Sequence, residues 1–588
     1  MQLLRTSSFR WSRALQGGIV LTLCLSWGCS DYGTSDDAGG AAGSGDAASR
    51  DDDDEGAESG GSDDGDDGPS GSGGSDDAAS SGSDSSSTGS SSSADATSDD
   101  SGSSDDGSTI VDPPDPFPEV VDITPPAGDL ELRGAPLLVT PTGSSFVINV
   151  VVAVGDPTAL RARVRVDGDS DWTRLGKPDH PEIDIAEWRA EDLSSDTEYE
   201  YEILGEDDAV LYEGKSRTVR AEGDTFSFAL LTDSHIGADL AYSNQGDPNV
   251  LQAVGVEIAA AEPDFIVNLG DMLDFHQFGF NDPPPTGYIT RDAYLNYRML
   301  LGDSIGNAPH FGVIGNWEGE NGNYTAEQIE RSRSQRLLYM PNPEPDTYPA
   351  GGSEHEDYYA FTWGGALFVV LNVMSYTPTE HLLSSAGGQA DDWTLGQDQF
   401  DWLEETLEDS DERWKFLMIH HAVGGAAGDP ANSNYGRGGG QAAHVGEQAL
   451  VHQMMIDHGV QIFFYGHDHV FTDMIVDDIH YSMPGSAGAP WMFTSAETGY
   501  ETSWLVSGWA NVDVSPDSVD VQFIEMGGEL IYEYSVGPDG PIEVGDAGTA
   551  DAAVDASASS SDGGEDSTAP LPEAGFTPEA GLTPEAGQ

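Results

Sequence analysis

The sequence reads as an α/β domain preceded by an all-β sandwich and enclosed by low-complexity tails. Three observations carry that reading. Between Pro118 and about Glu222 the chain is a series of short alternating strands separated by turn residues. At Phe226 the pattern changes to apolar runs with helical stretches between them. Outside these limits both ends are almost devoid of apolar residues, and such segments cannot bury enough surface to offset their chain entropy. At 588 residues the chain is too long for one ordinary domain.

Residues 1–29 have the features of an export leader. Arg5, Arg10 and Arg13 supply a positive start, and Gly18 to Leu25 a short apolar run. That run is too short for a permanent membrane span. Ser26-Trp27-Gly28-Cys29 resembles a bacterial lipoprotein processing site, with a small residue before the cysteine and Ser26 where leucine is usual. The expectation is an exported protein, either lipid-anchored at Cys29 in the cell envelope or secreted. Cys24, inside the leader, is the only other cysteine, so no internal disulfide is expected.

Residues 30–112 are an acidic Ser/Gly/Asp linker, expected to be disordered and to act as a tether. Residues 541–588 form a second low-complexity tail, closing on Pro-Glu-Ala-Gly at 572–575, 578–581 and 584–587. The formal net charge is -83, from 105 acidic and 22 basic residues. That balance argues against a nucleic-acid-binding surface, which needs clustered Lys and Arg.

Residues 113–222 contain the alternating strands. Ser145 to Val150, Leu160 to Val166 and Glu198 to Ile203 are the clearest. No titratable cluster stands out there, so this segment reads as a scaffold.

Residues 223–540 alternate strands and helices. Phe226 to Leu231, Phe265 to Leu269, Phe311 to Ile314, Leu367 to Leu371, Phe416 to Ile419 and Gln461 to Tyr465 read as strands. Val250 to Ala261, Arg291 to Leu301, Gln397 to Leu407 and Gln441 to Asp457 read as helices. The alternation implies crossovers and mostly parallel pairing.

The strand ends carry the chemistry. The first runs into Asp233-Ser234-His235, the second into Gly270-Asp271-Met272-Leu273-Asp274 and the third into Gly315-Asn316-Trp317-Glu318. Later ends give His420-His421 and Gly466-His467-Asp468-His469. Any one is common by chance; five in succession after apolar strands are not. The donors are carboxylates, an amide and imidazoles, without thiolates. They suit two cations such as manganese, iron or zinc better than a structural thiolate site. A cation pair needs a bridging carboxylate, and Asp271 is the natural bridge.

These five motifs resemble the calcineurin-like metallophosphoesterase superfamily, from about Phe226 to Val536. The preceding domain, whose Leu193 to Tyr199 looks like a fibronectin type III tyrosine corner, gives an arrangement similar to the purple acid phosphatases. The resemblance implies a metallophosphoesterase β-sandwich flanked by helices (αββα). It implies one metal held by Asp233, His235, Asp271 and His469. The other would be held by Asp271, Asn316, His420 and His467, with His420 preferred to His421 because it directly follows the strand. It implies hydrolysis of a phosphorylated small molecule by hydroxide generated at the metals. Membrane contact is expected only through a lipid anchor at Cys29, from the leader.

Two departures matter. Asp274 stands where purple acid phosphatases have the tyrosine that gives their colour. Trp317 stands where the superfamily has a histidine near the leaving-group oxygen; an indole donates a hydrogen bond but delivers no proton. His444 lies where purple acid phosphatases carry a leaving-group histidine, and it reads equally as a surface histidine at a helix start. His276, His310, His452 and His458 read as ordinary, and the glycines at 424–425 and 436–440 as a loop. The leading expectation is a phosphomonoesterase. The alternatives are a phosphodiesterase on nucleotides or phospholipid headgroups, and a tethered binding protein whose turnover Trp317 has weakened.

Overall fold

The computed structural model describes residues 122–241, 245–274, 287–320, 326–377, 394–421, 446–538 and 540–542. The leader with Cys29, the acidic linker, His276, the loop glycines, His444 and nearly all of the C-terminal tail lie outside them. Among the described residues no helix is long and apolar enough to cross a membrane.

The N-terminal part is all β. Strands β1 (Glu131–Leu132), β2 (Leu137–Val139), β3 (Phe146–Val154) and β6 (Ile185–Ala190) form one sheet. Strands β4 (Arg161–Val166), β5 (Thr173–Arg174), β7 (Glu198–Leu204) and β8 (Val210–Arg217) form the other. Phe146, Ile148, Val150, Ala162, Val164, Trp188, Tyr201 and Ile203 fill the space between them. Their period of two is the alternation visible in the sequence. The Tyr199 hydroxyl accepts from the Ser194 N–H at 2.8 Å, five residues upstream. This is the hydrogen bond of a tyrosine corner.

The α/β part holds two more sheets. Strands β9 (Phe226–Leu231), β10 (Phe265–Asn268) and β11 (His310–Gly312) are mutually parallel. Sheet one continues on the other side of β9 with antiparallel β18 (Gly508–Val514), β19 (Val519–Glu525), β20 (Glu529–Gly537) and β21 (Gly540–Pro541). Sheet two runs β12 (Tyr359–Trp363), β13 (Ala366–Val370), β14 (Trp414–Met418), β15 (Ile462–Phe464), β17 (Ile479–Pro484) and β16 (Phe471–Val476). Its four central strands are parallel and its two edges antiparallel. The expected parallel pairing therefore holds for β9 to β11 and for β13, β14, β15 and β17. The hairpin-linked remainder of sheet one is antiparallel, because a short turn cannot return a strand in the same direction.

The sheets pack face to face. Phe228 stacks on Phe265 at 5.1 Å and meets Phe368 edge-on at 5.3 Å, and Phe361 stacks on Phe368 at 4.9 Å. The alternate residues face outward under helices. Ala229, Leu231 and Ile266 meet α1 (Pro248–Ala261) and α2 (Gly287–Leu301). Leu367, Val369, Leu417 and Phe463 share a core with Leu403 and Val451. Between α2 and these later helices come α3 (Asp303–Asn307) and α4 (Ala326–Tyr339). Leu403 lies on α5 (Gln397–Glu408) and Val451 on α6 (Gly446–Asp457). The order helix, sheet, sheet, helix is the αββα arrangement. Helix α1 starts where Asp247 caps the Asn249 N–H with Pro248 in the first turn, and stops at left-handed Glu262.

Candidate metal centre

The carboxyl ends of the parallel strands of both sheets converge. Past β9 and β10 the chains stay zipped: Asp233 N–H donates to Gly270 O, His235 N–H to Asp271 O and Ile236 N–H to Met272 O, each at 3.0 Å. Within sheet two, past β14 and β15, Gly466 N–H donates to His420 O at 3.0 Å. The approach is close enough to demand glycine. A Cβ on Gly466 would lie 2.2 Å from the Thr232 hydroxyl, and one on Gly270 would lie 2.6 Å from the His420 ring.

Two groups of side chains result. Asp233, His235, Asp271 and His469 are all buried, with one donor atom from each within 4.8 Å of the others. His420, His421 and His467 form a second group on the same criterion. Asp271 links them: its Oδ2 lies 3.0 Å from His420 Nε2 and 3.6 Å from His235 Nε2. Asp233 Oδ1 lies 3.4 Å from His469 Nε2 and 3.9 Å from both His235 Nε2 and His420 Nε2. The sequence reading chose His420 over His421; the structure brings both together, with the His421 and His467 rings stacked at 4.0 Å. Asn316 is partly buried and directly precedes Trp317, whose N–H donates to Asp271 Oδ1 at 2.8 Å.

Backbone strain marks the same residues. Asp233, His235, Asp271, His467 and His469 all have positive φ, between 50° and 82°. Five of the seven expected ligands thus sit in a region costly for residues with a Cβ, and such strain collects at functional sites.

Several atoms turn the donors inward. The His420 Nδ1–H donates to Leu269 O and the His469 Nδ1–H to Trp491 O, each at 2.8 Å, which leaves both Nε2 atoms facing the cluster. Asp233 Oδ2 accepts from the Thr232 hydroxyl at 2.9 Å and from the His467 N–H at 3.0 Å. Glu318 accepts from the N–H groups of Met272, Gly315 and Asp271 at 2.6, 2.7 and 3.2 Å. It clamps the second strand end to the third. Its role escaped the sequence reading, although it stands in the third motif.

The donor set fits cations. Asp271 Oδ2 and His420 Nε2 are buried and 3.0 Å apart, as two ligands of one ion would be. Burial pushes the Asp233 carboxyl up; His420 opposes this and Asp271 adds to it. Burial would lower the His420 pKa, yet Asp271 raises it above its ordinary value. Burial and Asp271 together raise Glu318. Carboxylates packed this closely in a dry space call for added positive charge, from a proton or a cation.

The remaining histidines are placed apart from this cluster. His310 Nε2 lies 3.3 Å from the Tyr297 hydroxyl. His452 lies between the Tyr481 hydroxyl and Asp477, at 2.5 and 3.1 Å. Trp317 is brought to the centre, edge-on to His235 at 4.8 Å. Trp491 and Phe493 were not anticipated. Their rings lie 5.5 and 5.4 Å from His469, on the loop after β17. The signal was available: Ile479, Tyr481 and Met483 alternate as a strand would, and a Pro-Gly turn follows.

Comparison with known proteins agrees with this geometry. Residues 226–471 match the calcineurin-like phosphoesterase family model, and this part of the chain has the metallophosphoesterase fold. No curated protein matches the chain. Among solved structures, PhoD is similar at 15% identity with a TM-score of 0.54, covering 71% of this chain and 93% of PhoD. GAP50, the anchor in the inner membrane complex of Plasmodium, is 17% identical with a TM-score of 0.32, over 53% of this chain and 89% of that one.

Proposed function

We propose that this protein is an exported phosphomonoesterase that works with two cations. Asp233, His235, Asp271 and His469 would hold one, and Asp271, Asn316, His420 and His467 the other. The carrying observation is Asp271 Oδ2, which is buried and faces one imidazole from each group, His420 at 3.0 Å and His235 at 3.6 Å. Cations bound there, whether manganese, iron or zinc, would neutralise phosphoryl charge and acidify water. The chain's own residues do the rest. The Trp317 N–H and the Leu269 and Trp491 carbonyls fix the donors, so little reorganises when substrate arrives. The partner in this reading is a phosphorylated small molecule. Membrane contact comes only through lipid at Cys29, and the acidic linker spaces the domain from the surface.

Metal analysis of the purified protein tests the centre. Two equivalents per chain are expected, and Asp271→Asn should lose most metal together with most hydrolysis of aryl phosphates. One equivalent in the native protein, or full occupancy in the variant, would refute the paired site.

A second reading, phosphodiester hydrolysis, has one observation in its favour. Trp491 and Phe493 give surface beside the centre for a second ester substituent. Parallel assays on aryl monoesters and diesters with added manganese or zinc decide between them.

A further inference from the structure

The loop after β17 does more than cover the centre. The loop is tied down at five points, four through its backbone and one through the Ser486 side chain. Ala487 N–H donates to Thr232 O at 2.8 Å and Ala489 N–H to Asp233 O at 3.0 Å. The Ser486 hydroxyl also donates to Asp233 O at 3.0 Å. Asp247 N–H donates to Gly488 O at 2.8 Å, and His469 Nδ1–H to Trp491 O at 2.8 Å. The Trp491 backbone is therefore as fixed as the ligands it serves. The residue nevertheless stays 37% exposed. It stands 5.6 Å from the His235 ring and 5.5 Å from His469. The Trp317 indole is 5.7 Å away, tilted by 51°. The two indoles form an open angle with the histidine pair at its base, and Phe493 borders the His469 side. Packing accounts for Trp317, which is buried; it does not account for a rigidly held, open indole face beside a charged centre.

We propose that Trp491, with Trp317 and Phe493 beside it, is a stacking site that selects phosphate esters whose alcohol carries a planar aromatic ring. The inference rests on the phosphoesterase reading and adds the substrate class. A phosphoryl group at the His235 and His469 side of the centre places its ester substituent within one ring's reach of Trp491. Stacking on an aromatic side chain tolerates any planar ring, so nucleoside and simple aryl alcohols share the chemistry. It is worth roughly 5- to 150-fold in binding.

The test holds leaving-group chemistry constant and varies only the ring. Adenosine 5′-monophosphate is compared with ribose 5-phosphate, and 2-phenylethyl phosphate with 2-cyclohexylethyl phosphate, by kcat/KM on the metal-loaded full chain. Titration calorimetry with phenylphosphonate and cyclohexylphosphonate reads binding without hydrolysis. The expected result is a ring preference of at least fivefold, carried in KM and in the phosphonate Kd. It should fall to near one in Trp491→Ala and Trp491→Leu and be largely kept in Trp491→Phe. The nucleotide pair and the phenyl pair show which ring source is preferred. Hydrolysis with no ring preference, a preference that survives both Trp491→Ala and Trp491→Leu, or no phosphonate binding overturns the stacking site. A phosphonate ring preference without hydrolysis of any ester would leave the stacking site standing and overturn the phosphoesterase reading instead.

Discussion

At Trp317 a single side chain separates what this centre can hold from what it can turn over. Its N–H orients Asp271 and its indole lies edge-on to His235, so it contributes to the ligand frame while lacking a transferable proton. A positioned general acid contributes about 10²–10⁴-fold, most for alkyl leaving groups and least for nitrophenolate. The expectation is a strong preference for 4-nitrophenyl phosphate over simple alkyl phosphates such as glycerol phosphate. Trp317→His should raise alkyl turnover, since the smaller imidazole fits where the indole is held. His444→Ala should slow alkyl esters far more than aryl ones if His444 supplies the proton. Equal turnover of both esters in the native enzyme would show that Trp317 costs nothing.

At the scale of elements, the strand ends were legible because each motif directly follows an apolar run. β9 and α1 appear at nearly their expected limits, four of the motifs place side chains in the two groups, and the third adjoins them through the Trp317 N–H and Glu318. Other parts were not legible. β18 to β20 is an antiparallel meander whose residues carry no chemistry, and α4 itself has weak apolar patterning. His421 could not be weighed against His420 without the fold, since neighbouring histidines at a strand end differ only in where the turn points them. Trp491 lies on a loop whose strand, β17, pairs beside β15 only in three dimensions. His310, at the start of β11, supplies a test at this scale. Burial, with the Arg298 charge adding to it, pushes its pKa down to about 3. The folded state then binds fewer protons than the unfolded chain below about pH 6.5. Stability should therefore fall as pH drops from 6.5 toward 3, by at most about 1.4 kcal/mol per pH unit from this group. Denaturant titrations of His310→Gln across that window should show a shallower acid slope than the native protein. Parallel slopes would mean that other groups carry the acid sensitivity.

At the scale of the molecule, the acidic linker and the sandwich make opposite predictions. A chain beginning at Pro113 should keep its kcat on a soluble aryl phosphate, because residues 30–112 have too little apolar surface to build part of a site. Removing the sandwich as well should fail, for a reason visible in its contact with α2 and α4. Arg298 is 1% exposed and donates to Asn149 Oδ1 at 2.8 Å, Asn149 O at 2.9 Å and Tyr339 O at 3.1 Å. Asp184, fully buried, accepts from Arg291 at 2.5 Å and from the Tyr339 hydroxyl at 2.9 Å. Asn149 and Asp184 belong to the sandwich, the two arginines to α2 and Tyr339 to α4. Each buried polar group left without its partner costs about 1–3 kcal/mol, so a chain starting after Arg220 loses several such terms together with a hydrophobic contact. Helix α2 follows the Asp271 loop and α4 follows the Asn316 loop, so the loss should reach the centre. Arg298→Met in the full chain is the milder form of the same test. It should lower the denaturant midpoint and reduce metal retention during dialysis, whereas a surface control such as Arg174→Met should do neither. Unchanged stability and metal content in Arg298→Met would show that the sandwich is a passenger and that the α/β part holds its own centre.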